Sequence, residues 1–322
     1  MIGKELRIVF MGTPDFAVAS LATLIEKGYN VVGVVTAPDK PAGRGQKLHQ
    51  SAVKDYALSR SLPILQPEKL KDPGFLLELE ALSPDLQIIV AFRMLPEVVW
   101  KMPRHGTFNL HGSILPRYRG AAPLNWAIIN GDSESGVTTF LLKQEIDTGN
   151  ILFCERVAIA PDETVGELHD HLMSIGAELV IKTVDALAEG TIVPVSQESL
   201  EIDAERLHAP KIFKEDCRIS WDSEVQKNHN KIRGLSPYPT AWTELTAPSK
   251  GKISLKIFRS TPEFELHPHP PGTIFSDQKK WAKIACLDGY LKITDLQLAG
   301  KKRMGIEEFL RGFPEFSAYH AE

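Results

Sequence analysis

The sequence predicts an α/β fold in two parts: a Rossmann-like, mostly parallel sheet in an N-terminal domain, then a small OB-like β-barrel. Three observations carry this. Continuous Val/Ile-rich runs alternate with helical periods through the first half of the chain, the pattern of parallel strands buried on both faces. Beyond residue 210 the apolar runs shorten and are punctuated by Pro and Gly, as in a small barrel. The length of 322 residues exceeds one ordinary compact core.

Leu6 to Met11 is a short apolar run ending in Gly12, and Pro14-Asp15 then opens a helix. Phe16, Leu21, Leu24 and Ile25 share one face of that helix, and Gly28 stops it. Val31 to Val35 reads as a second strand, and Ile64-Leu65 and Leu86 to Phe92 as further ones. Ala52 to Leu58 and Phe75 to Leu82 read as the helices between them. Gly106 to His111 is a strand candidate whose end is polar, where ligands bind in such sheets. A helix near 122–130 and strands near 137–142 and 151–159 follow. Val165, Leu168, Leu172, Ile175 and Leu179 then mark a long helix from Thr164 to Glu189. The expected domains are therefore 1–189, a polar linker over 190–209, and 210–322. Short strands in the last part include Ala241–Leu245, Ser254–Phe258 and Tyr290–Ile293.

Composition narrows the class. Hydrophobic content of 43% and charged content of 24% are those of a globular protein. No apolar run is long enough to span a membrane, and the chain opens with no signal-peptide pattern. The three cysteines, Cys154, Cys217 and Cys286, are odd in number and far apart, which argues against a disulfide framework or a cysteine-rich zinc site. A reducing cytoplasm is the expected location. The net charge of −4 is unevenly spread: 18 basic and 14 acidic residues from 207 onward, 19 and 27 before it. That asymmetry suits two domains with different partners.

Chemistry concentrates at two places. Asn109 and His111 sit two apart on a predicted strand, so both side chains project into the same space. An amide N–H stabilises an oxyanion and an imidazole moves protons near neutral pH, which suits acyl transfer. On its own the pair is weak, because a lone strand histidine is more often structural. The second place is Asp147-Thr148-Gly149, which alone reads as an ordinary turn. No nucleophile elbow or Gly-x-Gly-x-x-Gly loop is present, so neither a covalent acyl-enzyme nor a dinucleotide cofactor is expected. No metal is expected either. His169 and His171 lie two apart on a helix and face apart, while His267 and His269 sit in a Pro-rich loop.

The run from Asn109 to Pro123, followed by Asp147-Thr148-Gly149, resembles the folate-dependent formyltransferase family. Met11 to Ala17, Pro38 to Gly45 and Leu298 to Lys302 extend the resemblance over almost the whole chain. They narrow it to members whose acceptor is initiator methionyl-tRNA. The resemblance implies a catalytic triad of Asn109, His111 and Asp147, and 10-formyltetrahydrofolate as co-substrate. It implies that Ser113, Ile114, Leu115 and Pro116 line the folate. Phe92, Arg93 and Met94 would form part of the pterin wall, in a segment one residue shorter than usual and with Arg93 in place of glycine. It also places the loop over 36–50 near the acceptor end of the tRNA, with Arg44 foremost and Lys40 and Lys47 beside it. The basic C-terminal domain, through Lys211, Lys214, Lys250, Lys252, Lys301, Lys302 and Arg303, would meet phosphates. The expected partners are thus initiator methionyl-tRNA and folate, with no membrane and no obligate protein partner. The alternatives are a formyltransferase for a small amine, a hydrolase releasing formate from the folate, and a catalytically inert RNA-binding protein.

Overall fold

The computed structural model describes residues 2–42, 47–200, 208–248 and 250–322. Two compact units emerge, one of Met1–Gly120, Ser135–Val157 and His169–Ala209, the other of Ala121–Glu134, Ala158–Leu168 and Pro210–Glu322.

The first unit opens with β1 (Ile8–Gly12), α1 (Asp15–Glu26) and β2 (Val31–Val35), then the hairpin of β3 (Lys40–Ala42) and β4 (Lys47–His49). It continues with α2 (Ala52–Ser59), β5 (Ile64–Leu65), α3 (Pro73–Ala81), β6 (Leu86–Val90), α4 (Glu97–Trp100), β7 (Thr107–His111) and β8 (Arg119–Gly120). After α5 (Pro123–Ile129), which belongs to the second unit, come β9 (Glu134–Leu141), β10 (Ile151–Ala158) and α6 (Val165–Glu189). The seven-stranded sheet has the order β10-β9-β7-β6-β1-β2-β5. From β7 to β5 all neighbours are parallel, while β9 runs antiparallel to β7. Every residue of β1 and β6 is buried, as their mostly apolar sequences require of strands covered on both faces, with Gln87 of β6 accepting from the Thr107 hydroxyl at 3.1 Å. The chain steps outward from β1 to β2 and β5, then returns to β1's other side through β6 and β7. The carboxyl ends of β1 and β6 therefore flank the topological switch point, where this class of sheet binds ligands.

Two sequence expectations change. The strand read through Phe92 ends at Val90, because Ala91 enters the left-handed region at φ 47°. The segment 190–209, expected as a linker, is built into the first unit where it is described. Val195 bridges Ile151, Gln197–Ser199 forms a 3-10 turn, and β11 (His208–Ala209) pairs in parallel with β8.

In the second unit α7 (Val225–Leu235) lies against a sheet of β12 (Ala241–Ala247), β13 (Lys250–Glu263), β14 (Ile274–Ser276), β15 (Ala282–Ala285) and β16 (Tyr290–Leu298). The short β17 (Met304–Gly305), α8 (Ile306–Gly312) and β18 (His320–Ala321) complete it. The order is β14-β15-β16-β13-β12-β18, antiparallel wherever pairing is registered. A bridge between Thr273 and His320 brings the two edges together, so the sheet nearly closes as a barrel. Register shifts around Arg259 bend the long β13, as bulges do in small barrels. Trp221, Leu235, Leu255, Ile257, Ile293 and Phe316 belong to its core.

Candidate active site

β7 reads Thr-Phe-Asn-Leu-His, and its alternation sends Thr107, Asn109 and His111 to one face and Phe108 and Leu110 to the other. Asn109 pairs across to Ile89 and Phe140, and His111 to Thr138. The two polar side chains thus stand together at the carboxyl end of a central strand. The Asn109 Oδ1 atom is buried with no hydrogen-bond partner among the described residues. A buried acceptor left open in this way is a position for an incoming N–H donor.

His111 is almost wholly buried, its ring edge-on to Phe140 at 6.4 Å. Its Nε2 lies 2.8 Å from the Tyr118 carbonyl oxygen. A carbonyl only accepts, so Nε2 carries the hydrogen and donates it, leaving Nδ1 as the open nitrogen. Nδ1 faces Asp147 Oδ2 at 3.8 Å, with the two side chains only 8% and 13% exposed. The same Oδ2 accepts the backbone N–H of Gly120 at 2.9 Å. Three backbone positions here adopt positive φ: Tyr118 at 59°, Asp147 at 55° and Gly120 at 121°. Strain of this kind costs energy at Tyr118 and Asp147 and persists where surrounding contacts enforce it. At Gly120 a side chain is excluded outright, since a Cβ would stand 2.7 Å from the Ala209 carbonyl oxygen.

The turn from Ser113 to Pro116 is held from beneath. Ser113 Oγ donates to the Arg117 carbonyl at 2.6 Å, and the buried Thr138 hydroxyl donates to the Ser113 carbonyl at 2.6 Å. The Leu115 amide donates back to that hydroxyl at 3.2 Å. Ile114 and Leu115 are buried, and Leu115 packs with Phe140 and Ile151. This places the expected folate-lining segment directly after His111, with Thr138 as a support that sequence reading missed.

Phe92, Arg93 and Met94 do three different things. Phe92 is half-buried against the Val9, Met11 and Ile89 core. Arg93 lies over the Phe92 ring at 5.5 Å and donates to the Glu68 carbonyl at 2.8 Å and to the Pro67 carbonyl. Its guanidinium therefore ties this segment to the neighbouring one. Met94 is 72% exposed.

Lys40 and Lys47 fall on the paired strands of the β3–β4 hairpin, with Lys40 exposed, whereas Arg44 lies outside the described residues. The base of that loop is anchored: Lys54 pairs with Asp39 at 2.5 Å and Gln66 donates to Asp39 at 2.9 Å. The Lys54 ammonium and the Gln66 amide hold the Asp39 carboxyl below its ordinary pKa.

In the second unit the expected phosphate-binding cations divide. Lys252, Lys302 and Arg303 are engaged by Glu244 and Glu322, Glu308, and Asp295 respectively. Lys211 instead lies over the exposed Phe213 ring, and Lys214 over Trp242, which also carries Arg218.

Gln197 is the residue that sequence reading passed over. It is buried, and its side chain reaches Arg119 and the Asp147 loop. Nothing local signals it, because it is one glutamine in a polar stretch. Among the described residues no group of three or more His, Cys, Asp and Glu is placed to hold a metal, and no helix is long and apolar enough to cross a membrane.

A family model described as formyl transferase matches residues 6–184, and one described as formyl transferase, C-terminal domain, matches residues 211–314. A methionyl-tRNA formyltransferase of Bacteroides thetaiotaomicron is 57% identical over 310 residues, covering 96% of each chain. The one of Parabacteroides distasonis is 56% identical over 318 residues, covering 98% of each. Among solved structures, a sugar 3N-formyl transferase in the presence of dTDP and 5-N-formyl-THF superposes with a TM-score of 0.61 at 19% identity. It covers 92% of this chain and 99% of its own.

Proposed function

The chain belongs to the formyl transferase family, and from that premise we propose that it moves the formyl group of 10-formyltetrahydrofolate to the α-amine of initiator methionyl-tRNA. Relatives at 56–57% identity, covered over 96–98% of their length and named methionyl-tRNA formyltransferase, support the formyl group and the acceptor. A reaction on charged initiator tRNA places the enzyme in the cytoplasm, where translation starts. The division of labour is catalysis by the part built around 1–189, with the described part of 190–209 packed into that same unit, and tRNA binding by 210–322.

The single observation that carries the site is the convergence of Asn109, His111 and Asp147 at the end of β7. The amine nitrogen attacks the formyl carbon, the bond from that carbon to the folate nitrogen breaks, and a proton passes from the attacking to the leaving nitrogen. Asn109 serves both sides of this exchange. Its N–H donates to the developing oxyanion, and its open Oδ1 accepts from the attacking amine. His111 holds the travelling proton at Nδ1, because Nε2 is committed to the Tyr118 carbonyl. Asp147, at 3.8 Å, supplies the charge that steadies the imidazolium in a site with little water. Ser113, Ile114, Leu115 and Pro116 line the folate, with Phe92, Arg93 and Met94 on the pterin side. Aligning two bound substrates accounts for up to about 7–11 kcal/mol of the barrier.

Arg44, Lys40 and Lys47 guide the acceptor end of the tRNA. Lys211 and Lys214, each over an aromatic ring, offer phosphates and bases both charge and a stacking face. The test is direct. Purified protein, 10-formyltetrahydrofolate and either charged initiator or charged elongator methionyl-tRNA are incubated, and formyl-methionine is measured. Formylation of the initiator form is expected; none on either tRNA overturns the reading.

A further inference from the structure

We infer that Gln197 is a positioning residue for the Asp147 carboxylate, acting through both the loop that carries Asp147 and the strand that donates to it. The inference rests on the catalytic reading of Asp147. The Gln197 side chain is buried and every polar position on it is used. Its Oε1 accepts from Arg119 Nε at 3.0 Å and Nη2 at 2.8 Å. Its Nε2 donates to the carbonyl oxygens of Asp147 at 2.9 Å and Gly149 at 2.7 Å. Partner chemistry fixes this orientation, because the guanidinium only donates and the two carbonyls only accept.

The consequence follows from what Asp147 needs. Its backbone sits in the left-handed region, which an aspartate leaves unless contacts hold it there. Gln197 binds that residue's own carbonyl and the carbonyl two residues on, clasping the turn on either side of Thr148. The other requirement is the Gly120 N–H on Oδ2, and Gly120 follows Arg119, whose guanidinium Gln197 also holds. One amide therefore fixes the two backbone segments that meet at the carboxylate. Gln197 is itself fixed: paired backbone hydrogen bonds of 2.8 Å in both directions join Val195 to Ile151, at the start of β10. Ser196 caps the turn in which Gln197 lies.

The Arg119 contact alone would make Gln197 an ordinary buried partner for a guanidinium. The two donations into the Asp147 turn make it specific to the site. A residue of this kind affects the chemical step through Asp147 and has no direct contact with either substrate, so its loss lowers kcat and spares KM.

The experiment is a double-mutant cycle in the full chain with Gln197→Ala, Asp147→Asn and the pair, assayed by single-turnover formyl transfer. Gln197→Met runs in parallel, since it keeps the packing volume and removes both donors, and it decides the matter if the alanine variant does not fold. Gln197→Ala or Gln197→Met is expected to lower the rate about tenfold, with KM for each substrate within about twofold. In the Asp147→Asn background the same change is expected to cost less than about twofold, because the group it positions is gone. Equal losses in both backgrounds, or an unchanged rate with Asp147 present, overturn the inference. If Asp147→Asn alone leaves the rate intact, the catalytic reading of Asp147 falls, and this inference with it.

Discussion

At His111 one ring nitrogen is committed to a backbone carbonyl and the other faces a carboxylate. His111→Ala removes the group proposed to move the proton and is expected to lower kcat about 10²–10⁴-fold with the fold intact, read by steady-state kinetics and circular dichroism. A near-normal rate would show that the proton travels by another path. Thr138 tests the proposed folate wall. Thr138→Val keeps the shape but leaves the Ser113 carbonyl and the Leu115 amide without the hydroxyl they share. The expected cost is about 1–3 kcal/mol in urea unfolding, with a raised KM for the folate and little change for the tRNA. The strand alternation that pairs Asn109 with His111 is legible in five consecutive residues. The tautomer of His111 is not, because it depends on where the Tyr118 carbonyl points.

The loop between β9 and β10 shows what an element demands of its glycine. A Cβ at Gly149 would lie 1.5 Å from the Leu141 carbonyl oxygen, so Gly149→Ala forces the Asp147 loop away from β9. The expected loss is about 3 kcal/mol or more in thermal unfolding, with formyl transfer abolished. In the second unit α7 buries Asn228, His229, Asn230 and Arg233. The sequence reading passed over that helix, whose other buried residues are Val225, Ile232, Gly234 and Leu235, so that half of its buried positions are polar. His229 lies between Ser260 at 3.1 Å and Asp162 at 3.2 Å, with Arg233 nearby. Burial first, then Arg233, pushes its imidazole below the ordinary value of 6.5, against the opposing pull of Asp162. The unfolded chain then takes up a proton before the folded one does, so stability is full above that value and declines as pH falls below it. His229→Gln is expected to flatten this slope between pH about 7 and 5 in denaturant titrations; an unchanged slope would assign it to other groups.

Across the whole molecule, the excess of basic residues beyond position 207 predicts how the acceptor binds. If two phosphates are neutralised, KM for tRNA is expected to rise about tenfold between about 50 and 200 mM salt, while KM for the folate stays flat. Lys214→Ala should lower that slope, and a slope already flat in the native enzyme would remove phosphate contacts from the account. The alternation of apolar runs and helices made the parallel sheet readable, and the spacing of short strands did the same for the barrel. The hydrogen bonds of Gln197 were unreadable, because its partners lie 48 to 78 positions away in the chain. The place of segment 190–209 has a practical consequence for anyone building hybrids. A fusion that joins this sheet to a foreign barrel at residue 190 would discard the β11 pairing and the Gln197 clasp. The cut belongs after Ala209, where everything that steadies Asp147 travels with its own half.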